Sequence, residues 1–157
     1  RNTGPALSPF NAWVLSKSLE TLAVRLDKHC ENAEKVALFL ETEANAENVK
    51  YPFLKSHPQY AIAKKQMKKG GNIVSFEIKG GIEAGRKFID AIKLCSRSAN
   101  LGDTRSIVTH PASTTHSKLS EEDRLEAGIK PGLVRVSVGL EHADDVIADL
   151  KQALNSI

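Results

Sequence analysis

The apolar positions of the chain repeat in two periods, and those periods divide it into elements. From Leu19 onward, Leu22, Ala23, Leu26, Cys30, Ala33, Val36, Ala37 and Leu40 keep three-and-four spacing, which predicts one face of a long amphipathic helix. Ser8 before Pro9 reads as an N-cap with proline in the first turn, so an extended lead-in over 4–7 precedes a helix that begins near Pro9. The polar stretch from Ala44 to Asn48 breaks the helical period, and Val49, Tyr51 and Phe53 around Pro52 predict a short edge strand. Pro58 opens a short helix running to about Met67, which Gly70 and Gly71 end. Val74, Phe76 and Ile78 alternate with Ser75 and Glu77, the period of a half-buried strand.

Beyond Gly80 and Gly81 a helix is expected with Ile82, Phe88, Ile89 and Ile92 inward, followed by a short extended piece at Ile107 and Val108. Ser120 with Asp123 starts another helix, closed by Gly128 and Pro131. Val134, Val136 and Val138 alternate as a further strand. The last helix places Asp144 and Asp145 in its first turn and Ala143, Val146, Ile147, Leu150 and Leu154 on one face. Strands and helices mixed without a regular β-α-β rhythm predict an α+β domain, a small, mostly antiparallel sheet covered by helices and preceded by a long helix. The stretch Ser96 to Thr115 is polar and loop-rich, carrying Asn100, Gly102, Asp103, Thr104, Arg105, Thr109, His110 and Ser113, and such loops are where sites tend to lie.

Composition narrows the partners. A length of 157 residues suits one domain. The net charge of +3 is spread along the chain, and the densest basic run, Lys64, Lys65, Lys68 and Lys69, has no interleaved aromatics, so a solvated helix face is expected and nucleic acid is not implied. Cys30 and Cys95 lack ligand or disulfide spacing, which argues against a zinc site, and Cys30 is expected as a core thiol. No apolar run approaches the roughly 18 residues of a membrane span, no signal pattern opens the chain, and a reducing cytoplasm fits this composition. A start at Arg1, with Met67 the single methionine, is expected of a processed product or a fragment.

No motif is sufficient for catalysis by spacing alone: GxSxG, GxxxxGK[ST] and HExxH are all absent. His110 and His116 flank Pro111, Ser113, Thr114 and Thr115, where a loop-ordering role fits better than a Ser/His pair. Arg135 lies inside the alternating strand Val134 to Val138. It must point to solvent, meet an acid, or clamp a carboxylate as a planar bidentate donor; spacing alone leaves these open.

The segment Leu133-Val134-Arg135-Val136-Ser137-Val138-Gly139, continuing through Leu140-Glu141-His142 to Asp145 and Asp149-Leu150, resembles the closing motif of the Cys/Met-metabolism pyridoxal-phosphate (PLP) enzyme family. Asn100-Leu101-Gly102-Asp103, with Ser106-Ile107-Val108-Thr109-His110-Pro111-Ala112 and Thr115-His116, resembles that family's S-L-G-G-x-E-S-L…H-P-A-x-M-T-H segment. Arg1 to Trp13, with Leu19-Glu20-Thr21-Leu22, Arg25 and His29, resembles it again, so the likeness spans nearly the whole chain. Asn100 in place of serine, Asp103 in place of glycine and Arg105 in place of glutamate point within the family to the O-acetylhomoserine sulfhydrylase branch.

The resemblance implies the C-terminal domain of a fold-type I PLP-dependent transferase. Residues 1–18 would be a connecting segment and helix from the larger PLP domain, and 19–157 the small domain. It implies that Arg135 binds the α-carboxylate of an amino-acid substrate, with Asn100 and Leu101 beside it and with Thr115 and His110 shaping the same loop. The PLP lysine, the phosphate-binding residues and the ring-stacking tyrosine would all lie upstream of Arg1, so no residue here is nominated as catalytic, cofactor-binding or metal-binding. The implied reaction is γ-replacement in methionine biosynthesis, catalysed by an intact cytoplasmic homotetramer, with this piece inactive alone. A related γ-synthase or γ-lyase, or a non-catalytic interaction module, is the alternative.

Overall fold

The computed structural model describes residues 6–157, so part of the expected lead-in, residues 4 and 5, lies outside the described residues. Helix α1 (Pro9–Glu20) starts as its cap predicts, with Asn11 N donating to Ser8 Oγ at 3.2 Å. Thr21 then separates it from α2 (Leu22–Leu40). The expected inner face of α2 holds only in its later turns: Ala33, Val36, Ala37 and Leu40 are fully buried, whereas Leu22, Ala23 and Leu26 are exposed. Every residue from Ala6 to Val24 is exposed because nothing among the described residues packs over these turns. Cys30 is half-buried rather than in the core.

Two polar residues of α2 are buried instead. His29 Nδ1 donates to Val138 O at 2.6 Å, and Asn32 Nδ2 donates to Gly139 O and Glu141 O at 3.0 and 2.8 Å. A helix donor that meets a free strand-end carbonyl can be buried at little cost.

The sheet has five strands in the order β1-β2-β5-β4-β3: β1 (Ala46–Lys50), β2 (Ile73–Ile78), β3 (Ser96–Arg97), β4 (Ile107–Thr109) and β5 (Leu133–Ser137). All pairings are antiparallel except β3 with β4, in line with the α+β expectation. The edge strand β1 both starts and stops earlier than the sequence suggests, taking in Ala46 to Asn48 of the stretch expected as a break. Tyr51 turns inward, fully buried, and its hydroxyl donates to Gly71 O at 3.1 Å, so Tyr51 and Phe53 belong to the following turn.

Helix α3 (Tyr60–Gln66) opens two residues after Pro58, with Gln59 as its N-cap, and ends before Gly70 and Gly71, whereas α4 (Gly81–Ala91), α5 (Glu121–Glu126) and α6 (Ala143–Leu154) fall where the sequence predicts. Gly80 takes φ +97°, a left-handed conformation that only glycine adopts without strain, and this launches α4. Later turns of α2 join α4 and α6 over one face of the sheet, enclosing Val74, Phe76, Ile78, Val134, Val136 and Val138. Phe76 meets Phe88 edge-on at 5.9 Å.

Asp149 of α6, almost fully buried, accepts from the backbone N–H groups of Lys93, Leu94 and Cys95, each at 2.9 Å. Burial alone would raise its pKa; the three donors outweigh burial and hold it below the usual value. No helix among the described residues is long and apolar enough to cross a membrane.

Candidate substrate-binding site

Alternation along β5 sends Val134 and Val136 into the core and Arg135 to the opposite face. Its register partners are Ser75 on β2 and Thr109 on β4, which share that face and are polar. The guanidinium is tethered at one nitrogen: Arg135 Nη2 donates to Ala99 O at 2.8 Å and to Asn100 O at 3.1 Å. Arg135 Nε is buried and has no hydrogen-bond partner. No acid among the described residues pairs with this arginine. Arginine stays protonated in proteins, so the guanidinium nitrogens that these carbonyls do not tether remain donors for a ligand's acceptor. A carboxylate matches the planar fork.

The loop that supplies those carbonyls is a built object. Residues 99–103 line an open depression of about 600 Å³. Gly102 takes φ +81°, and its N–H donates to Ser137 Oγ at 2.9 Å. Asp103 Oδ1 accepts from Arg105 N at 3.0 Å, and Arg105 Nη2 reaches Asp103 Oδ2 at 3.2 Å. The Arg105 guanidinium holds the Asp103 carboxyl down to about 2. Just beyond, Glu141 accepts from Ser106 N at 2.7 Å and from Ser106 Oγ at 2.9 Å, while Ser106 Oγ accepts from Gly139 N at 2.8 Å. Gly139 lies against the backbone of Arg105 and Ser106 with no room for a Cβ.

A second loop follows β4. His110 is fully buried; its Nε2 donates to Pro131 O at 2.7 Å, which leaves Nδ1 of the neutral ring to accept from Ser113 Oγ at 2.8 Å. Burial is the main cause of its lowered pKa; the Pro131 carbonyl opposes this, and nearby Arg86 adds to it. His110 therefore orders its loop, as its place just before Pro111 and Ser113 suggested. Thr109 and Thr114 pair through their hydroxyls at 3.2 Å. Thr115 is exposed and bonded to His116 Nδ1 at 2.8 Å.

Of the four residues expected at the site, Arg135 and Asn100 meet directly, through the Asn100 carbonyl rather than its side chain. Leu101, 59% exposed, lines the depression. Thr115 hydrogen-bonds to His116 rather than to any of the other three; its loop is linked towards Arg135 through Thr114 and the strand position of Thr109. Sequence reasoning passed over Ser137 and Asn72, whose side chains are joined at 3.2 Å behind Gly102. The available signal was Ser137 itself, a hydroxyl two positions from Arg135 in an otherwise apolar strand.

The sequence profile of the Cys/Met metabolism PLP-dependent enzymes matches residues 1–155. The chain is 50% identical over 159 residues to an O-acetyl-L-homoserine sulfhydrylase of Leptospira meyeri, covering 100% of this chain and 36% of that protein. It is 49% identical over 155 residues to an L-methionine gamma-lyase of Treponema denticola, covering 99% of this chain and 39% of that protein. Among solved structures it matches one from Campylobacter jejuni, described as an O-acetylhomoserine (thiol)-lyase and carrying N'-pyridoxyl-lysine-5'-monophosphate, with TM-score 0.90 and 48% identity over 99% of this chain and 37% of that one. The chain thus spans well under half the length of the proteins it resembles.

Proposed function

The chain belongs to the Cys/Met metabolism PLP-dependent enzyme family, and from that premise we propose that it is the C-terminal part of an O-acetylhomoserine sulfhydrylase. The observation that carries the proposal is the half-tethered Arg135, held at Nη2 by two carbonyls with no acid beside it among the described residues. In this reading the guanidinium takes the α-carboxylate of O-acetyl-L-homoserine, and the carbonyls of Ala99 and Asn100 fix its plane so that the substrate arrives in one orientation. Asn100 and Leu101 form the wall beside it, with Thr115 on the neighbouring loop.

PLP, when bound, supplies the electron sink that lets acetate leave Cγ and sulfide take its place, giving homocysteine. The residues present fit the amino acid rather than the cofactor. No lysine lines the depression of residues 99–103, and none of the chain's lysines stands in the family's S-x-[TS]-K setting. The cofactor is therefore held mainly by the upstream half, and this piece alone is inactive.

The exposed apolar surface of α1 supports the same division. Phe10, Trp13 and Leu19 are 68, 59 and 65% exposed, more apolar helix surface than a free domain leaves uncovered. Residues 1–18 are the connector in this reading, covered by the upstream part of the same polypeptide, and 19–157 form the small domain. The intact enzyme is a homotetramer.

A second reading, γ-elimination from L-methionine, is favoured by the relatives of that name at 49% identity. Both readings need the same carboxylate anchor. Assaying the full-length protein with O-acetyl-L-homoserine and sulfide, and separately with L-methionine alone, separates them: homocysteine formation supports the sulfhydrylase, and turnover only of methionine supports the lyase.

A further inference from the structure

Between residues 99 and 103 the loop is tied to the sheet by two side chains of β5, Arg135 and Ser137. Ser137 is fully buried and two positions from Arg135, so both project from the same strand face. Its Oγ accepts from Gly102 N at 2.9 Å and from Asn72 Nδ2 at 3.2 Å. The loop residues Ala99 to Gly102 are themselves exposed. The carbonyls that orient Arg135 stand between two ties, Asn100 N to Ser98 Oγ at 3.3 Å on one side and the Gly102–Ser137 bond on the other.

We propose that Ser137 is a positioning residue for the substrate carboxylate, with Asn72 as its support: it fixes the loop that fixes the arginine. The inference rests on the reading of Arg135 given above. A hydroxyl at this place has no reason to touch substrate, since it is buried and both of its hydrogen bonds are to the chain. Its effect must pass through Arg135, and so must be confined to ligands that carry a carboxylate.

The test uses the full-length holoenzyme and two probes of matched length that carry no γ-leaving group, L-norleucine and its counterpart without the carboxylate, pentylamine. Their binding is measured by calorimetry. Ser137→Ala should weaken L-norleucine roughly 3- to 10-fold, the worth of one hydrogen bond in the positioning chain, and leave pentylamine unchanged. It should raise KM for the amino-acid substrate with little change in kcat, and Ser137→Thr, which keeps the hydroxyl, should restore both. Added to Arg135→Ala, Ser137→Ala should cost nothing further.

Should Ser137→Ala fail to fold, Asn72→Ala, at a half-buried position, should show the same selectivity with a smaller loss. Equal weakening of both probes, or no weakening of either, overturns the inference. If Arg135→Ala abolishes the preference for the carboxylate while Ser137→Ala preserves it, this inference fails alone. If Arg135→Ala itself preserves the preference, the reading of Arg135 fails with it.

Discussion

The two faces of the five-stranded sheet are made by one alternation and end in opposite conditions. On one, Val74, Phe76, Val134 and Val136 are fully buried under α2, α4 and α6. On the other, Ser75, Thr109, Arg135 and Ser137 form a polar row beneath a thin loop. The closed face holds its shape by packing, where each side chain has many interchangeable neighbours. The open face holds it by a few directed hydrogen bonds and, among the described residues, leaves Arg135 without an acid. Mutations on the closed face should act on stability, and those on the open face on recognition.

The largest separation is expected at Phe76. Phe76→Ala should cost roughly 3–5 kcal/mol of stability by leaving a cavity against Phe88, while the molecules that remain folded keep their kcat/KM. Denaturant unfolding and activity per folded molecule check this together. Asp149 comes next. Asp149→Ala strands three backbone donors and should cost about 3 kcal/mol. Because its folded pKa is lowered, its contribution is full above the unfolded value of about 3.9 and is lost as pH falls through the folded one. The acid limb of the stability profile should therefore soften in the variant.

The smallest effect belongs to His110, which joins the two faces by pinning the loop after β4 to Pro131. Its folded pKa is also lowered, so its stabilisation is complete above the unfolded value of about 6.5 and fades as pH drops through the folded value. His110→Gln should flatten that part of the curve. A protein whose stability below about pH 6.5 ignored the substitution would contradict the neutral, buried imidazole described here.

The closed face was legible in the sequence because burial imposes a period, and Val74-Phe76-Ile78, Val134-Val136-Val138 and the inner stripe of α6 show it directly. Where a residue's surroundings come from distant chain, the pattern misleads. Leu22 and Leu26 continue the stripe of α2 yet lie exposed, since the described residues contain nothing to cover them. Strand β3, with two residues, is too short to carry a period, and Tyr51 reads as strand but turns inward to find acceptors for its hydroxyl. At the site, Arg135 stood out as a charge in an apolar strand, and family resemblance gave it a role. The contact through the Asn100 carbonyl is backbone geometry, which residue types do not display, and the bond from Gly102 N to Ser137 Oγ depends on where the loop comes to lie.

The most direct measurement is kcat/KM of full-length Arg135→Ala with O-acetyl-L-homoserine, taken beside its Tm. Loss of a carboxylate anchor predicts a fall equivalent to about 2–4 kcal/mol with Tm nearly unchanged; an unaltered kcat/KM, or a loss matched by unfolding, would contradict the assignment of the open face as the substrate-binding surface.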